Sequence, residues 1–426
     1  MEEIMKRFAY LKSATAALAV AAPVLFSGAA LAQDAVNLRM TIWSANEAHL
    51  NLFNEIAADF KKEHPNVTVT YDSLPFDTYM TTLTTQIAGG NAPDLAWIFE
   101  TGAADFVSSG ALYPLTETFE ATEGYNLGEV SEGATAIWQQ DGTLYAYPFS
   151  TSPFGIFVNN DLIRAAGQTT PAELIAAGEW TWDKAMEVAA ASAKDGKAGL
   201  IVRDFNYQMW QNLASIWRGW GAAPWSQDGA TCTFAEQPMV EAMTFIHDAI
   251  FDKHAMPGPG EDVDFFAGNA AMTITQISRA SLLPKGEDAF EWDLVPLPQG
   301  PAGEYALIGQ AGIGVFQSGK NAETAAQFLA FMTNPANSAK LAQFFPSARQ
   351  SLLNVAALSK TNPLLSPEQL ETVVIKGIAT GTVIPGHTDF AQIQQTVRAE
   401  LDALWRPDAD VKAVLESVCS RISPLL

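Results

Sequence analysis

Between Leu144 and Asn159 the chain reads LYAYPFSTSPFGIFVN, an apolar stretch punctuated by Pro148 and Pro153 that runs into a helical pattern ending at Ala166-Gly167. A proline cannot donate to a β-ladder. A strand holding two of them therefore suits an edge, or a passage between two bodies, better than the centre of a single sheet. Length agrees with two bodies. Once the N-terminal leader described next is set aside, about 390 residues remain, more than the roughly 250–300 at which one core usually splits.

The leader carries Lys6, Arg7 and Lys12, an apolar run from Ala14 to Phe26, and Ala30-Leu31-Ala32 before Gln33. This is the tripartite pattern of a secretory signal peptide, and cleavage is expected after Ala32. Glu2 and Glu3 are out of place in the basic region, which leaves Met5 open as an alternative start. The apolar run is shorter than the roughly 20 residues that span a bilayer, and no later run is longer. The exported chain is thus expected to be soluble, with no membrane insertion. No Cys follows the apolar run, which sets aside a lipid anchor and points to a periplasm.

Apolar residues make up 48% of the sequence, too many for a disordered polymer. The formal charge is −23, and −24 without the leader, whose Lys6, Arg7 and Lys12 outweigh Glu2 and Glu3 by one. So acidic a surface repels phosphate backbones and anionic headgroups, which excludes nucleic acid as a partner. Its plain role is solubility. Cys232 and Cys419 enter an oxidising compartment, where they either pair or stay as buried thiols; sequence separation leaves both open. The five histidines, at 49, 64, 247, 254 and 387, form no cluster of zinc spacing, so neither metal nor cofactor is expected.

Periodicity gives a strand from Val36 to Trp43, an amphipathic helix from His49 to His64 stopped by Pro65, and a strand from Val67 to Tyr71. A helix from Asp77 to Ala88 and a strand from Asp94 to Phe99 follow. This β-α-β-α-β order implies a parallel sheet with crossover helices, hence an α/β fold. The turn between the last two elements, Gly90-Asn91-Ala92-Pro93-Asp94, fits a Gly-x-x-Pro-Asp signature. Together with Phe157-Val158-Asn159-Asn160-Asp161, the Thr181-Trp182-Asp183 helix start and Gly268-Asn269-Ala270-Ala271-Met272, it resembles the extracellular solute-binding proteins of carbohydrate ABC importers, the family 1, maltose-binding-protein-like type.

The resemblance covers essentially the whole mature chain and implies a periplasmic binding protein type II-like fold: two α/β lobes with a hinge of crossing segments. The first crossing lies near Ser150, the second within Tyr305–Phe316 and the third at Phe345-Pro346-Ser347-Ala348-Arg349. The first lobe would comprise residues 33–150 and 311–347, the second 151–310 and 348–426. The function implied is capture of a sugar, mono- or oligosaccharide, by a non-catalytic monomer that delivers it to ABC importer permease subunits.

In an open α/β sheet, ligands bind beyond the carboxyl ends of the strands. Three first-lobe segments occupy that place and combine aromatic with polar or acidic groups: Trp43, Asn46 and Glu47; Phe76; and Trp97, Phe99 and Glu100. Sugar C–H faces stack on aromatic rings, while hydroxyls need directional polar partners. Trp43 and Trp97 read equally well as core residues. In the second lobe Trp210, Trp217 and Trp220 fall at helical spacing, and Trp210 and Trp220 are candidate stacking platforms, with a packed helix as the plain alternative. The family's Gly and aromatic after the Ala-Ala-Met strand are replaced here by Thr275-Gln276-Ile277-Ser278-Arg279, so Gln276, Ser278 and Arg279 are polar candidates. Gln310 at the second crossing, Arg349 at the third and His387 in a loop similar to one bordering the family's cleft complete the set.

A secreted glycoside hydrolase would share the acidity and the 11 tryptophans, and would need two carboxylates about 5–9.5 Å apart. Glu47 and Glu100 are the available pair. No Gly-x-Ser-x-Gly, His-Glu-x-x-His or phosphate-binding Gly-Lys-Thr loop occurs. A receptor co-sensor would share fold and ligand with a transport protein. Within the carrier reading, the runner-up ligand is a polyol phosphate such as glycerol 3-phosphate, which would require converging basic groups where the first lobe offers carboxylates.

Overall fold

The computed structural model describes residues 34–426 apart from Pro385. The expected signal peptide and its cleavage site lie outside the described residues. Strands β1 (Val36–Ile42), β2 (Val67–Ser73) and β3 (Leu95–Phe99) are parallel, in the order β2-β1-β3, and are connected by helices α1 (Glu47–Glu63) and α2 (Tyr79–Ala88). The order follows from pattern. Leu38, Met40 and Ile42 alternate into the core, and Phe53, Ile56 and Phe60 recur on one face of α1. α1 begins two residues before the expected His49 because the Asn46 side chain accepts from the backbone N–H groups of Ala48 and His49, capping the helix.

Five further strands extend the sheet: β4 (Ala146–Asn159), β5 (Ala198–Val202), β6 (Ala270–Gln276), β7 (Trp292–Val295) and β8 (Leu307–Val315). β8 is antiparallel to β3 on one side and to β4 on the other. The first half of β4 ladders with β8, and its second half with β6 and β7. β5 runs parallel to β6. The sheet thus reads β2-β1-β3-β8-β4-β6-β5, with β7 on β4 and the short strand Thr382–Val383 on β8. Both prolines of β4 sit in the half whose only ladder partner is β8, where a missing N–H can face the unladdered side.

All 14 residues of β4 are buried. Up to Phe149 its side chains join a core built on β1–β3, α1, the end of β8 and the helix Ala322–Met332. Beyond Ser152 they join two others, because alternation sends Phe154, Ile156 and Val158 to one face and Phe157 to the opposite one. Leu200 and Val202 separate from Ile201 in the same way. The result is two α/β lobes, each with its own apolar interior, hung on shared strands. Gly312 on β8 is required by sterics: a Cβ there would lie 2.9 Å from the ring of Trp138.

The Trp-rich stretch is a broken helix, 3₁₀ over Trp210–Leu213, α over Ala214–Trp217 and 3₁₀ again over Arg218–Trp220. It packs against the helix Gln237–Phe251 and the C-terminal helices Phe390–Leu401 and Val411–Ile422. Cys232 and Cys419 are paired with Cα atoms 5.4 Å apart, which ties the segment after Trp225 to the last helix. The bridge closes a loop of sequence separation 187, so most of its effect falls on the unfolded chain. Reduction, or Cys232→Ser, is expected to lower the unfolding free energy by about 2–4 kcal/mol without changing the far-ultraviolet circular dichroism at 25 °C. Coincident denaturation curves with and without reductant would contradict this.

Candidate ligand-binding cleft

Parallel strands bring their carboxyl ends to one place. β1, β2 and β3 end at Trp43, Phe76 and Glu100 on the first lobe, while β5 and β6 end at Asp204 and Arg279 on the second. These ends face a cavity of about 320 Å³, floored by Phe149, Ser150 and Ser152 of β4 and by Gly309, Gln310 and Ala311 of β8. That volume lies at the small end of the roughly 300–1,000 Å³ typical of ligand pockets.

The first-lobe wall is aromatic. Trp43, half-buried, is ringed by Phe99 at 4.4 Å, Trp97 at 4.7 Å, Tyr79 at 5.1 Å and Phe76 at 6.0 Å between centroids. Behind the cluster, Tyr79 links β1 to β3 by donating its hydroxyl to the carbonyls of both Thr41 and Trp97. Trp97 itself is fully buried and stacks on Phe149, so it backs the wall, leaving Trp43, Phe76 and Phe99 as the faces turned to the cavity.

Glu100 opens the turn after β3. Burial pushes its carboxyl up to about 8, against which backbone N–H groups, including that of Gln310, pull only partly. At neutral pH the group is therefore chiefly a protonated acid that both donates and accepts. His49, under Phe344 and Phe345, is held down to about 4 by burial and by Arg279, and its Nδ1 lies 2.8 Å from Ser44 Oγ.

The second-lobe wall is polar: Asp204, Gln211, Asn212, Gln276, Ser278 and Arg279. Arg279 donates to Asp204 at 3.0 Å, and its guanidinium carbon lies 5.6 Å from the ring centroid of Phe76 on the opposite lobe. Gln276 lies over Gly309, where a Cβ would meet its amide nitrogen at 2.9 Å. Asp204, Asn206 and Tyr207 all have φ between +41° and +60°. Such backbone costs of order 1–3 kcal/mol per residue where it is strained and clusters at functional sites. Tyr207 anchors this turn by donating to the carbonyl of Pro257.

Three buried polar atoms of cavity-lining residues have no protein partner: His49 Nε2, Trp97 Nε1 and Gln211 Oε1. A buried unpaired group costs about 1–3 kcal/mol, so the fold carries uncompensated polarity behind the walls of this cavity. A second, larger hollow of about 530 Å³ beside β7 differs in this respect. Its polar groups satisfy one another: Trp180 donates to Pro296, Gln369 to Asp293 and Lys376 to Glu304.

Trp43, Asn46, Phe76, Trp97, Phe99, Glu100, Gln276, Ser278, Arg279 and Gln310 thus line one cavity. Asn46 and Gln310 each have a structural duty as well, the first as helix cap and the second accepting from Trp138 Nε1 at 2.8 Å. Five candidates stand elsewhere. Glu47 is exposed in the first turn of α1, where its charge suits the helix dipole. Trp210 is buried against Trp217 at 6.0 Å, and Trp220 packs on Phe245 at 4.8 Å, because a broken helix turns both rings into the second core. Arg349 is fully buried in the first lobe, donating to the carbonyls of Thr333, Tyr125 and Asn126 and to Ser338 Oγ. His387 lies against Trp225 with Nε2 at 3.1 Å from the Gly229 carbonyl, outside the cavity. Missing from the sequence reading were His49, Asp204, Gln211 and Asn212. For Asp204 the signal was present, since it follows the apolar strand Ala198–Val202; for Gln211 and Asn212 it was masked by the adjacent tryptophans.

Comparison with known proteins gives one family and one fold. Residues 45–339 match the family described as bacterial extracellular solute-binding protein. The sn-glycerol-3-phosphate-binding periplasmic protein UgpB of Pectobacterium atrosepticum is 26% identical over 97% of this chain and 95% of its own. An ABC substrate-binding protein of Listeria monocytogenes in complex with cycloalternan superposes with a TM-score of 0.80 at 21% identity, over 92% of this chain and 99% of that one. Maltose-bound MalE3 of T. maritima gives 0.78 at 19% identity, over 92% and 100%.

Two outcomes follow from the placements of Glu100 and Arg349. The unfolded Glu100 carboxyl releases its proton near 4.5 and the folded one near 8, so between these values the unfolded state gains by ionising and stability falls as pH rises. Melting temperatures from pH 4.5 to 9 should therefore show Glu100→Gln gaining on the wild type up to about pH 8 and holding a constant lead above it. Parallel profiles would contradict the burial of Glu100. Arg349→Met strands the carbonyls that the guanidinium satisfied, and is expected to cost at least about 3 kcal/mol of stability. A folded variant of unchanged melting temperature but weakened ligand binding would return Arg349 to the site.

Proposed function

Because this chain belongs to the bacterial extracellular solute-binding protein family, we propose that it captures a neutral sugar of one or two rings between its lobes and passes it to the permease subunits of an ABC importer. The observation that carries the ligand class is the division of the cavity: half-buried aromatic faces on one wall, amides and hydroxyls on the other. A pyranose offers that pair of surfaces, apolar C–H faces and a rim of hydroxyls. Delivery rests on the family, whose members are carriers, and capture rests on a cavity that β4 and β8 floor and two lobes wall.

Compartment and architecture complete the reading. Export to the periplasm with cleavage after Ala32 accords with the Cys232–Cys419 bridge, since disulfides persist in oxidising compartments. We take residues 33–150 with 311–347 as one moving body, 151–310 with 348–426 as the other, and the working unit as a monomer. Ligand then shifts an open–closed equilibrium by its differential affinity for the two states.

The relatives that bind glycerol 3-phosphate support a second reading. Against it, Arg279 is the one Lys or Arg among the described residues that line the cavity, and it is already paired with Asp204. Against the hydrolase alternative, Glu47 is exposed and outside the cavity that Glu100 lines, and the other lining carboxylate, Asp204, is paired with Arg279.

Calorimetric titration with a panel of neutral mono- and disaccharides and glycerol 3-phosphate tests the proposal. A neutral sugar should saturate one site per chain without turnover, and at 100 times its Kd should add about 2.7 kcal/mol of stability. Trp43→Ala should weaken that sugar at least tenfold. Turnover of an oligosaccharide, or saturation by glycerol 3-phosphate alone, would overturn it.

A further inference from the structure

We infer that Asp204 sets the charge preference of this cleft: it neutralises Arg279 and holds it as a hydrogen-bond donor, so that uncharged hydroxyls are accepted and anions refused. The inference rests on the neutral-sugar reading above.

Arg279 stands at the end of β6 with its guanidinium 3.0 Å from Asp204 Oδ2 and over the Phe76 ring. Among the described residues, no other Lys or Arg lines the cavity to offset an anion. His49 is uncharged at neutral pH, because burial and the same Arg279 hold its pKa at about 4. The cavity's positive charge is therefore one group, and its disposition decides which ligands enter. Asp204 is well placed to own that decision. Its neighbour Arg203 lies 3.8 Å away but is itself drawn to Asp264 at 3.5 Å and stacks on Phe266, so Arg203 neither lines the cavity nor competes strongly for the carboxylate.

The backbone argues for selection of the residue type. Asp204 sits at φ +60° in the turn that also holds Asn206 and Tyr207 at positive φ, a conformation that costs most L-residues and that Asp and Asn tolerate best. Arg203 N–H donates to the Ile274 carbonyl and Tyr207 to the Pro257 carbonyl, so the turn is held from both sides with the carboxylate turned to Arg279. This turn carries a carboxylate into the cavity beside its single guanidinium. With the pair intact, an entering phosphate meets Arg279 already neutralised and a carboxylate at its side.

Asp204→Asn is the decisive variant. Asn adopts the same φ and still accepts from Arg279, yet it removes the negative charge. Asp204→Gly, equally at ease at positive φ, is the second variant should the first fail to fold. Titration of wild type and variants with glycerol 3-phosphate, inorganic phosphate and the neutral sugar that saturates the wild type reads the effect directly. Either variant should shift the preference for glycerol 3-phosphate over the neutral sugar, read as the ratio of the two Kd values in the same protein, at least tenfold toward the anion, with anion affinity falling as salt rises. Adding Arg279→Gln should abolish the shift. An unchanged ratio in a folded Asp204→Asn protein that still binds neutral sugar overturns this inference alone. Tight glycerol 3-phosphate binding by the wild type overturns it together with the neutral-sugar reading.

Discussion

Everything in this molecule hangs on the hydrogen-bonded pairing of β4 with its neighbours. One strand of 14 buried residues gives its first half to β8 and its second to β6 and β7, so the two cores share a backbone where most two-domain proteins would have a tether. The cavity floor is made of those same strands. Relative movement of the lobes is then confined to twisting and bending of ladders that stay intact. Ligand contacts on the two walls and the hinge that relates them are consequently one mechanical unit.

Charge is spent sparingly inside a chain that is strongly acidic outside. The sequence carries a large formal excess of carboxylates, yet among the described residues the cavity is lined by just two carboxyl groups, Glu100 and Asp204, and each is neutralised by a different means. Burial keeps the proton on Glu100, and Arg279 cancels Asp204. What remains is a surface of donors and acceptors with little net field, next to rings whose faces are apolar. Such a site suits the neutral sugar proposed above, whose hydroxyls rather than charge would be matched.

Much of the fold was legible because it was repeated at several levels. The alternation of Val36–Ile42, the Phe53-Ile56-Phe60 face and the Gly90–Asp94 turn agree with one another, and the parallel β2-β1-β3 unit follows from them. The strand-end rule then located Trp43, Phe76, Phe99 and Glu100. It failed where a local pattern stood in for tertiary context. Trp210 and Trp220 carry the composition of a stacking platform, but whether an aromatic ring faces a core or a cleft is fixed by packing partners remote in sequence, here Phe390 and Phe245. Arg349 misled for the same reason: nothing local announces that the carbonyls of Tyr125 and Thr333 will converge on its guanidinium. The pairing of Cys232 with Cys419 was undecidable from spacing, since it depends on where the last helix docks.

If the proposal holds, the aromatic wall and the amide wall grip the two kinds of surface a sugar ring presents. The most direct measurement is a crystal structure of the protein saturated with the saccharide that titrates most tightly. The ring's C–H face is expected on Trp43 or Phe99, with hydroxyls bonded to Gln276, Gln211 or Glu100 and no anionic group of the ligand beside Arg279. A ligand seated in the hollow beside β7, or one held chiefly through a phosphate on Arg279, would contradict it.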